Sequence, residues 1–521
     1  MAKEIGKDRL GDFYKDGGKV RKRREWRGVA DTMYDYSRWL VIMATLGKFM
    51  MKPRNVKAFF RYRWMSNYLA VPMMVDRHTQ GLRGEYLRMC HVEQDLIIDD
   101  VAKLLDSLFR GDRRIGNDTE FSKKVVLVDE NEMTAVMMGF PTLKGLSRET
   151  PSTYVSVLLN QHAAEHYIDV AQEFGLAGDV CPMPEAEAGV SIDDDAPVLG
   201  ACAIQCNTTC DGSLLGNGVI SRRLELEDGI PVFQLAAPLR HREDDVQEYA
   251  AQEIRNAIAF IEKNTGEKWD WKNYFECARR VNYATKCRQE WLEMNRTPYP
   301  QVFGSNRALY TETNYMAICG KIPAFEEADR KLTKLARQAY EKQKRAAKEY
   351  RHRAIIWGVQ SHYYMDFLVW LLNCWGIVPL TDMLSMVSTR ELAETDTPEN
   401  RETAIYDMAW LTENMIMRNR THGGYKVLLD ELWEYTQQFN ADMVILWEHM
   451  SCKALTGMHG MFEDRARELG IHLVWVSHDL FDPRIISRQG VRDQINNYMR
   501  TVMREEPIDP SLEVLHDEES W

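Results

Sequence analysis

The sequence predicts an α/β protein built from two Rossmann-like, doubly wound lobes joined by helices, with a mainly helical N-terminal extension. Three observations lead there. From about residue 125 onward, short apolar runs alternate with amphipathic stretches, the pattern of a parallel sheet with crossover helices. The alternation occurs twice, on either side of a long charged stretch at about 325–353. With 521 residues and 45% apolar content, the chain is also too long for a single core and rich enough to fill several.

In chain order, residues 1–124 form the helical extension, rich in Arg, Trp, Tyr and Met. Within it, residues 56–75 place apolar side chains three and four apart and read as one helix. The basic run from Lys19 to Arg27 reads as a solvated, partly disordered arm. The first α/β lobe covers 125–320. Its strands are the apolar runs 125–128, 197–204 and 231–238, and its helices span 152–175 and 244–266, stopped by Gly175 and Gly266. A connecting helix occupies 321–353 and bridges the lobes. The second lobe, 354–505, repeats the alternation, with strands at 354–359, 377–380, 442–447 and 472–477 and helices at 361–376 and 459–470. An acidic, Pro-interrupted tail, 506–521, reads as loose.

The charge balance narrows the partners. There are 66 Lys and Arg against 78 Asp and Glu, a net charge of −12, so the chain as a whole is no trap for nucleic acid. The longest apolar runs, 39–47 and 367–380, fall short of the roughly 20 residues a membrane span needs. The first residues carry no apolar leader. The expectation is a cytoplasmic protein whose ten cysteines stay reduced and available for metals or chemistry.

Cysteine placement is the most informative local feature. In such folds ligands bind beyond the carboxyl ends of the strands. Cys210 follows the strand predicted at 197–204, and Cys452 follows the one at 442–447. Cys181 lies in a Pro-containing loop after the helix that ends at Gly175. Cys202 and Cys374 fall inside apolar elements, and Cys90, Cys277, Cys287 and Cys319 accompany helical or mixed segments, the positions of small buried hydrophobes. Three loop thiols meeting at one cleft suit an iron–sulfur cluster with one corner left open. The spacing of Cys202, Cys206 and Cys210 is one residue longer than the C-x3-C-x2-C run of radical S-adenosylmethionine enzymes.

Four blocks, at 167–189, 206–238 with 249–270, 353–358 and 441–499, resemble in content and order the cluster-carrying subunits of 2-hydroxyacyl-CoA dehydratases and ATP-dependent benzoyl-CoA reductases. The last block is the most specific, with Cys452, Asp479 and the Asp482-Pro483-Arg484 run in the family's order. The likeness covers roughly 125–503. It implies that Cys181, Cys210 and Cys452 hold a [4Fe–4S] cluster, or a double-cubane cluster as in some relatives. It also implies pairing with a paralogous cluster-carrying subunit as a heterodimer, and a separate ATP-dependent activator with its own cluster. The chain has no Walker A run of its own, in keeping with an ATP step on a partner. The implied reaction is one-electron reduction of an acyl-CoA thioester, which makes otherwise non-acidic β-hydrogens removable. The favoured outcome is dehydration of a 2-hydroxyacyl-CoA. The alternatives are reduction of an aromatic ring as in benzoyl-CoA reductase, or an electron-relay subunit with no substrate site of its own. Glu132 falls in a stretch that resembles the family's first helix and is a candidate substrate contact.

A rival signal is His162-Ala-Ala-Glu165-His166, which matches H-x-x-E-H. On a continuous helix, His162 and His166 share a face with Glu165 beside them, geometry suited to a zinc hydrolase. Its other readings are a polar helix surface, or Glu165 and His166 acting as acid or base near the cluster.

Overall fold

A computed structural model describes residues 26–129, 134–206, 210–236, 238, 243–385, 390–413 and 425–515. It has two four-stranded, wholly parallel sheets. The first lobe's strands are β1 (Val125–Val128), β2 (Lys144–Leu146), β3 (Cys202–Cys206) and β4 (Val232–Leu235), in the order β2-β1-β3-β4. The second lobe's are β5 (His352–Trp357), β6 (Ile377–Asp382), β7 (Met443–His449) and β8 (His472–His478), in the order β6-β5-β7-β8. Counted within each lobe, both orders read 2-1-3-4. In each lobe the strand order reverses between its first and third strands, and doubly wound sheets hold their ligands outside the carboxyl ends at that switch point.

The strands centre on short apolar runs such as Val125–Val128 and Met443–Trp447, as expected where helices cover a parallel sheet. Every residue of β1, β3 and β6 is buried. Trp357 and Trp447, on neighbouring strands of the second sheet, are fully buried, and a side chain of that class contributes about 2–3 kcal/mol on leaving water.

Several predicted elements differ in the structure. The helix expected at 56–75 is three pieces: Pro53–Arg61, a 3-10 segment Arg63–Ala70, and Val71–Thr79. Tyr62 leaves helical geometry at the first break (φ −101°, ψ 125°). There it stacks on Trp64 and Phe109, and its hydroxyl donates to Asp112 at 2.5 Å. Burial of two large rings outweighs the local helical preference. The basic arm is also corrected at its end. Arg27 is buried, donating to Asp35 Oδ2 at 2.8 Å and to the Thr79 carbonyl at 2.8 Å; residues 19–25 lie outside the described residues.

The helix expected at 152–175 breaks into Tyr154–Leu159 and Glu165–Phe174. Asn160 ends the first piece by accepting the His162 amide at 3.1 Å, an Asx turn that competes with helical continuation. The connecting helix spans only Pro323–Glu341; Gln343 then takes a left-handed turn (φ 50°), and an irregular segment leads to β5. β2, only three residues with Gly145 at its centre, carried no readable strand signal.

The N-terminal helices do not stand apart. The long helix Gly84–Gly111 packs against both Val29–Met50 and Pro323–Glu341. The final described residues dock as well, with the Ile508 amide on the Cys374 carbonyl at 2.7 Å and the Trp370 indole on the Leu512 carbonyl at 2.7 Å. Among the described residues no helix is long and apolar enough to cross a membrane.

Candidate functional site

The two switch points supply equivalent loops. β3 ends at Cys206, and Cys210 is the cap residue of the helix Asp211–Leu226. β7 ends at His449, and Cys452 caps the short turn Lys453–Thr456, its amide bonded to the His449 carbonyl at 2.9 Å. Each lobe thus presents one cysteine just past its third strand. Cys181 comes from outside the sheet, as the cap of the helix Pro182–Ile192, where Pro182 at the first helical position removes an amide that would have no partner there.

These three loops meet. Buried surroundings push the Cys181 thiol well above the usual range, and the charges of Cys210, Asp479 and Cys452 push it further; the Met183 amide opposes them. Burial likewise raises Cys452, with the Leu455 and Ala454 amides opposing and Cys210 and Asp211 adding to the rise. Cys181 therefore lies in the field of both other sulfurs, and Cys452 in that of Cys210, a costly place for thiolates without a cation nearby. The seven other cysteines are all buried.

Close backbone approach holds the first two loops together. A side chain on Gly216 would put its Cβ 2.8 Å from the Pro184 carbonyl oxygen, and one on Gly212 would stand 3.3 Å from the Cys181 amide nitrogen. Only glycine lets the helices that begin at Cys181 and Cys210 cross so closely. Across the lobes, Lys453 Nζ stands 3.4 Å from both Asp179 Oδ2 and Asp211 Oδ2. Each of these residues is a near neighbour of one of the three cysteines. Arg484 adds a second tie, 2.9 Å to Asp169 of the first lobe and 2.6 Å to Asp482.

Sequence reasoning named Asp479 only as part of a block and missed Glu185, His449 and His362 as buried polar groups of this region. Glu185 is only 2% exposed, with Oε1 unpartnered, and burial together with the charges of Asp479, Asp179 and Asp482 pushes its carboxyl up to about 7. Asp479, at the end of β8, is pushed up to about 6 by burial, although the Phe481 and Asp482 amides donate to its Oδ1 at 3.0 and 2.8 Å. His449 Nδ1 lies 3.8 Å from Asp479 Oδ2, and burial drives His449 down to about 4. His362 is driven down to about 3 and packs edge-on against Tyr154 of the first lobe at 4.3 Å. Glu185 lies in the block 167–189 but shows no one-sided periodicity, because its helix is buried on nearly every side. The histidines end or follow strands, a placement legible only once the strand ends are known.

The other predicted site residues fare differently. Glu132 lies outside the described residues. The zinc pattern is undone by the Asn160 turn: His162 sits in that turn, ahead of the helix that Glu165 opens, so the two histidines do not share a helical face. His162 Nδ1 pairs with Glu165 Oε1 at 2.7 Å and His166 Nε2 with Asp193 Oδ2 at 2.8 Å, both near solvent. Among the described residues no three His, Cys, Asp or Glu side chains are grouped to hold a single metal ion.

No curated protein matches the chain. Residues 133–500, well over half of its length, match the family described as 2-hydroxyglutaryl-CoA dehydratase, D-component. The span takes in both switch-point loops, the helix begun at Cys181 and the whole second sheet, so the chain belongs to the 2-hydroxyglutaryl-CoA dehydratase D-component family.

Proposed function

We propose that this component of a 2-hydroxyacyl-CoA dehydratase-type enzyme binds a [4Fe–4S] cluster through Cys181, Cys210 and Cys452 and works on an acyl-CoA thioester. What supports the reading is the convergence of three cysteine loops: Gly212, beside Cys210, packs on the Cys181 amide, Lys453, beside Cys452, reaches both Asp179 and Asp211, and the charges of Cys210 and Cys452 raise the cost of ionising Cys181. Iron supplies the missing positive charge, and thiolate is its preferred donor in such clusters. In a cluster each thiolate binds a different iron, so its ligands need not crowd around one centre as the ligands of a single ion do. Three protein ligands leave one iron without a protein thiolate.

When bound, the cluster supplies one electron at a time. The chain's own residues do the rest. The long helices begun at Cys181 and Cys210 turn their positive ends toward the thiolates. Glu185 Oε1 and the Asp479 carboxyl, both buried and both pushed toward neutral pH, can hold or release a proton beside the site. His362, Tyr154 and Phe481 form an aromatic wall where the lobes face each other and exclude water.

A paralogous partner subunit and an ATP-dependent activator complete the proposed system. The test is anaerobic assay of the assembled enzyme with a panel of 2-hydroxyacyl-CoA thioesters and benzoyl-CoA. Formation of an enoyl-CoA from a 2-hydroxyacyl-CoA supports the dehydratase. Turnover of benzoyl-CoA alone assigns the ring-reductase alternative. No turnover of any thioester, with a cluster spectrum that substrate leaves unchanged, assigns an electron-relay subunit.

A further inference from the structure

The helix Val29–Met50 buries only one side. Its inward residues Asp35, Ile42 and Phe49 are buried, and it packs on the helix Gly84–Gly111. On the other side Val29, Met33, Tyr36 and Leu40 stand three and four apart and face solvent, with Met33 69% and Leu40 60% exposed. Trp26 extends this stripe ahead of the helix at 69% exposure, and Met51 ends it at 82%. At 1.5 Å per residue the helix alone is about 33 Å long. Single exposed apolar residues are ordinary, but a contiguous stripe marks a surface that something covers.

Charge selects the occupant. No exposed residue of this helix is acidic: Asp31 is half-buried, paired with Arg88 at 3.0 Å and accepting the Gly84 amide at 2.7 Å, and Asp35 is buried against Arg27. Cations bracket the stripe instead. Five of the six residues from Lys19 to Arg24, just ahead of Trp26, are Lys or Arg, in a chain whose net charge is −12. At the far end, Arg38, Lys52, Arg54 and Arg61 are spent on Asp95, Asp106 and Asp194. Lys48 and Lys57 are exposed there and form no ion pair among the described residues.

With both ends cationic, a second copy laid on the same stripe in either direction would set like charges together, so charge opposes self-pairing. The 25 residues ahead of Trp26 hold nine Lys and Arg and five acids, and offer few large apolar side chains to match the stripe. The helix also precedes the matched span 133–500, so it is no part of the family's shared core.

We infer that this stripe lays the chain on an anionic phospholipid surface. Val29, Met33 and Leu40 enter the acyl boundary, Trp26 and Tyr36 sit at headgroup depth, and the cations at both ends meet lipid phosphates. The contact is peripheral, because the inner side of the helix stays on the protein. The inference goes beyond the dehydratase reading and depends on neither iron nor acyl-CoA.

The test is cosedimentation of the full chain with vesicles of phosphatidylcholine alone and of phosphatidylcholine mixed equally with phosphatidylglycerol. Binding at least about 10-fold tighter to the anionic vesicles, and weakened severalfold by added salt, is the expected result. Met33→Glu combined with Leu40→Glu should weaken it by at least about 10-fold, and Arg23→Glu combined with Arg24→Glu severalfold. Met33 and Leu40 face solvent, so their replacement leaves folding intact; circular dichroism and the unfolding midpoint verify this for each variant. No binding to anionic vesicles at millimolar lipid, equal binding to both vesicles, or binding indifferent to either pair of substitutions overturns the inference. A chain that binds no vesicle, yet is dimeric by light scattering and monomeric with Met33→Glu and Leu40→Glu, assigns the stripe to a second copy and likewise overturns it.

Discussion

At the scale of single residues, Gly216 and Glu185 carry the sharpest consequences. Gly216 sets how closely the helices begun at Cys181 and Cys210 can approach, since any Cβ there meets the Pro184 carbonyl at 2.8 Å. Gly216→Val forces backbone to move, and a cost of about 1–3 kcal/mol is expected. Because the displaced helices carry two of the proposed ligands, iron retention should fall severalfold more than this stability loss alone produces in a matched variant away from the site. Glu185 gives a pH signature. Its folded-state carboxyl titrates at about 7, well above the ordinary carboxylate value, so between these points the folded chain keeps a proton the unfolded chain has lost. The stability present below the unfolded value is therefore lost as pH rises through about 7, by about 3 kcal/mol for this group. Asp479, at about 6, acts in the same direction. Urea unfolding of the iron-free chain at pH 5 and pH 8 should show the decline, and Glu185→Gln should flatten it; a stability that rises across this interval contradicts the assignment.

At the scale of elements, the second lobe was legible to within a few residues because its strands are continuous apolar runs such as Met443–Leu446 and its helices end at Gly376 and Gly470, both left-handed caps. Cys210 and Cys452 could be placed past strand ends for the same reason. What stayed hidden depended on long-range contacts. Nothing local shows that Tyr62 will leave its helix to reach Asp112, fifty residues on, or that Asn160 will close a turn instead of extending a helix. Nor can a sequence show that a Glu on the buried helix Pro182–Ile192 lies in the electrostatic field of an Asp just past β8. The break at Tyr62 is testable. Asp112 also accepts the Val198 amide at 3.0 Å and sits fully buried. Tyr62→Phe therefore strips one donor from a buried carboxylate, and a loss of about 1–3 kcal/mol in urea unfolding is expected.

At the scale of the whole molecule, the proposed site exists only because two lobes of the same 2-1-3-4 order face each other with Cys181 between them. Their exposed ties, Lys453 to Asp179 and Asp211, add little to global stability because solvent screens them, but they tie the cysteine loops together across the lobes. Lys453→Ala should leave the unfolding midpoint nearly unchanged while speeding the loss of iron in air; equal rates in the two proteins remove this role. The most direct test of the central claim is iron and sulfide content after anaerobic purification. About four irons per chain are expected in the native protein and in Cys206→Ala, and near-complete loss is expected in each of Cys181→Ala, Cys210→Ala and Cys452→Ala. A native chain that takes up no iron on reconstitution, or three variants that keep it, contradicts the account.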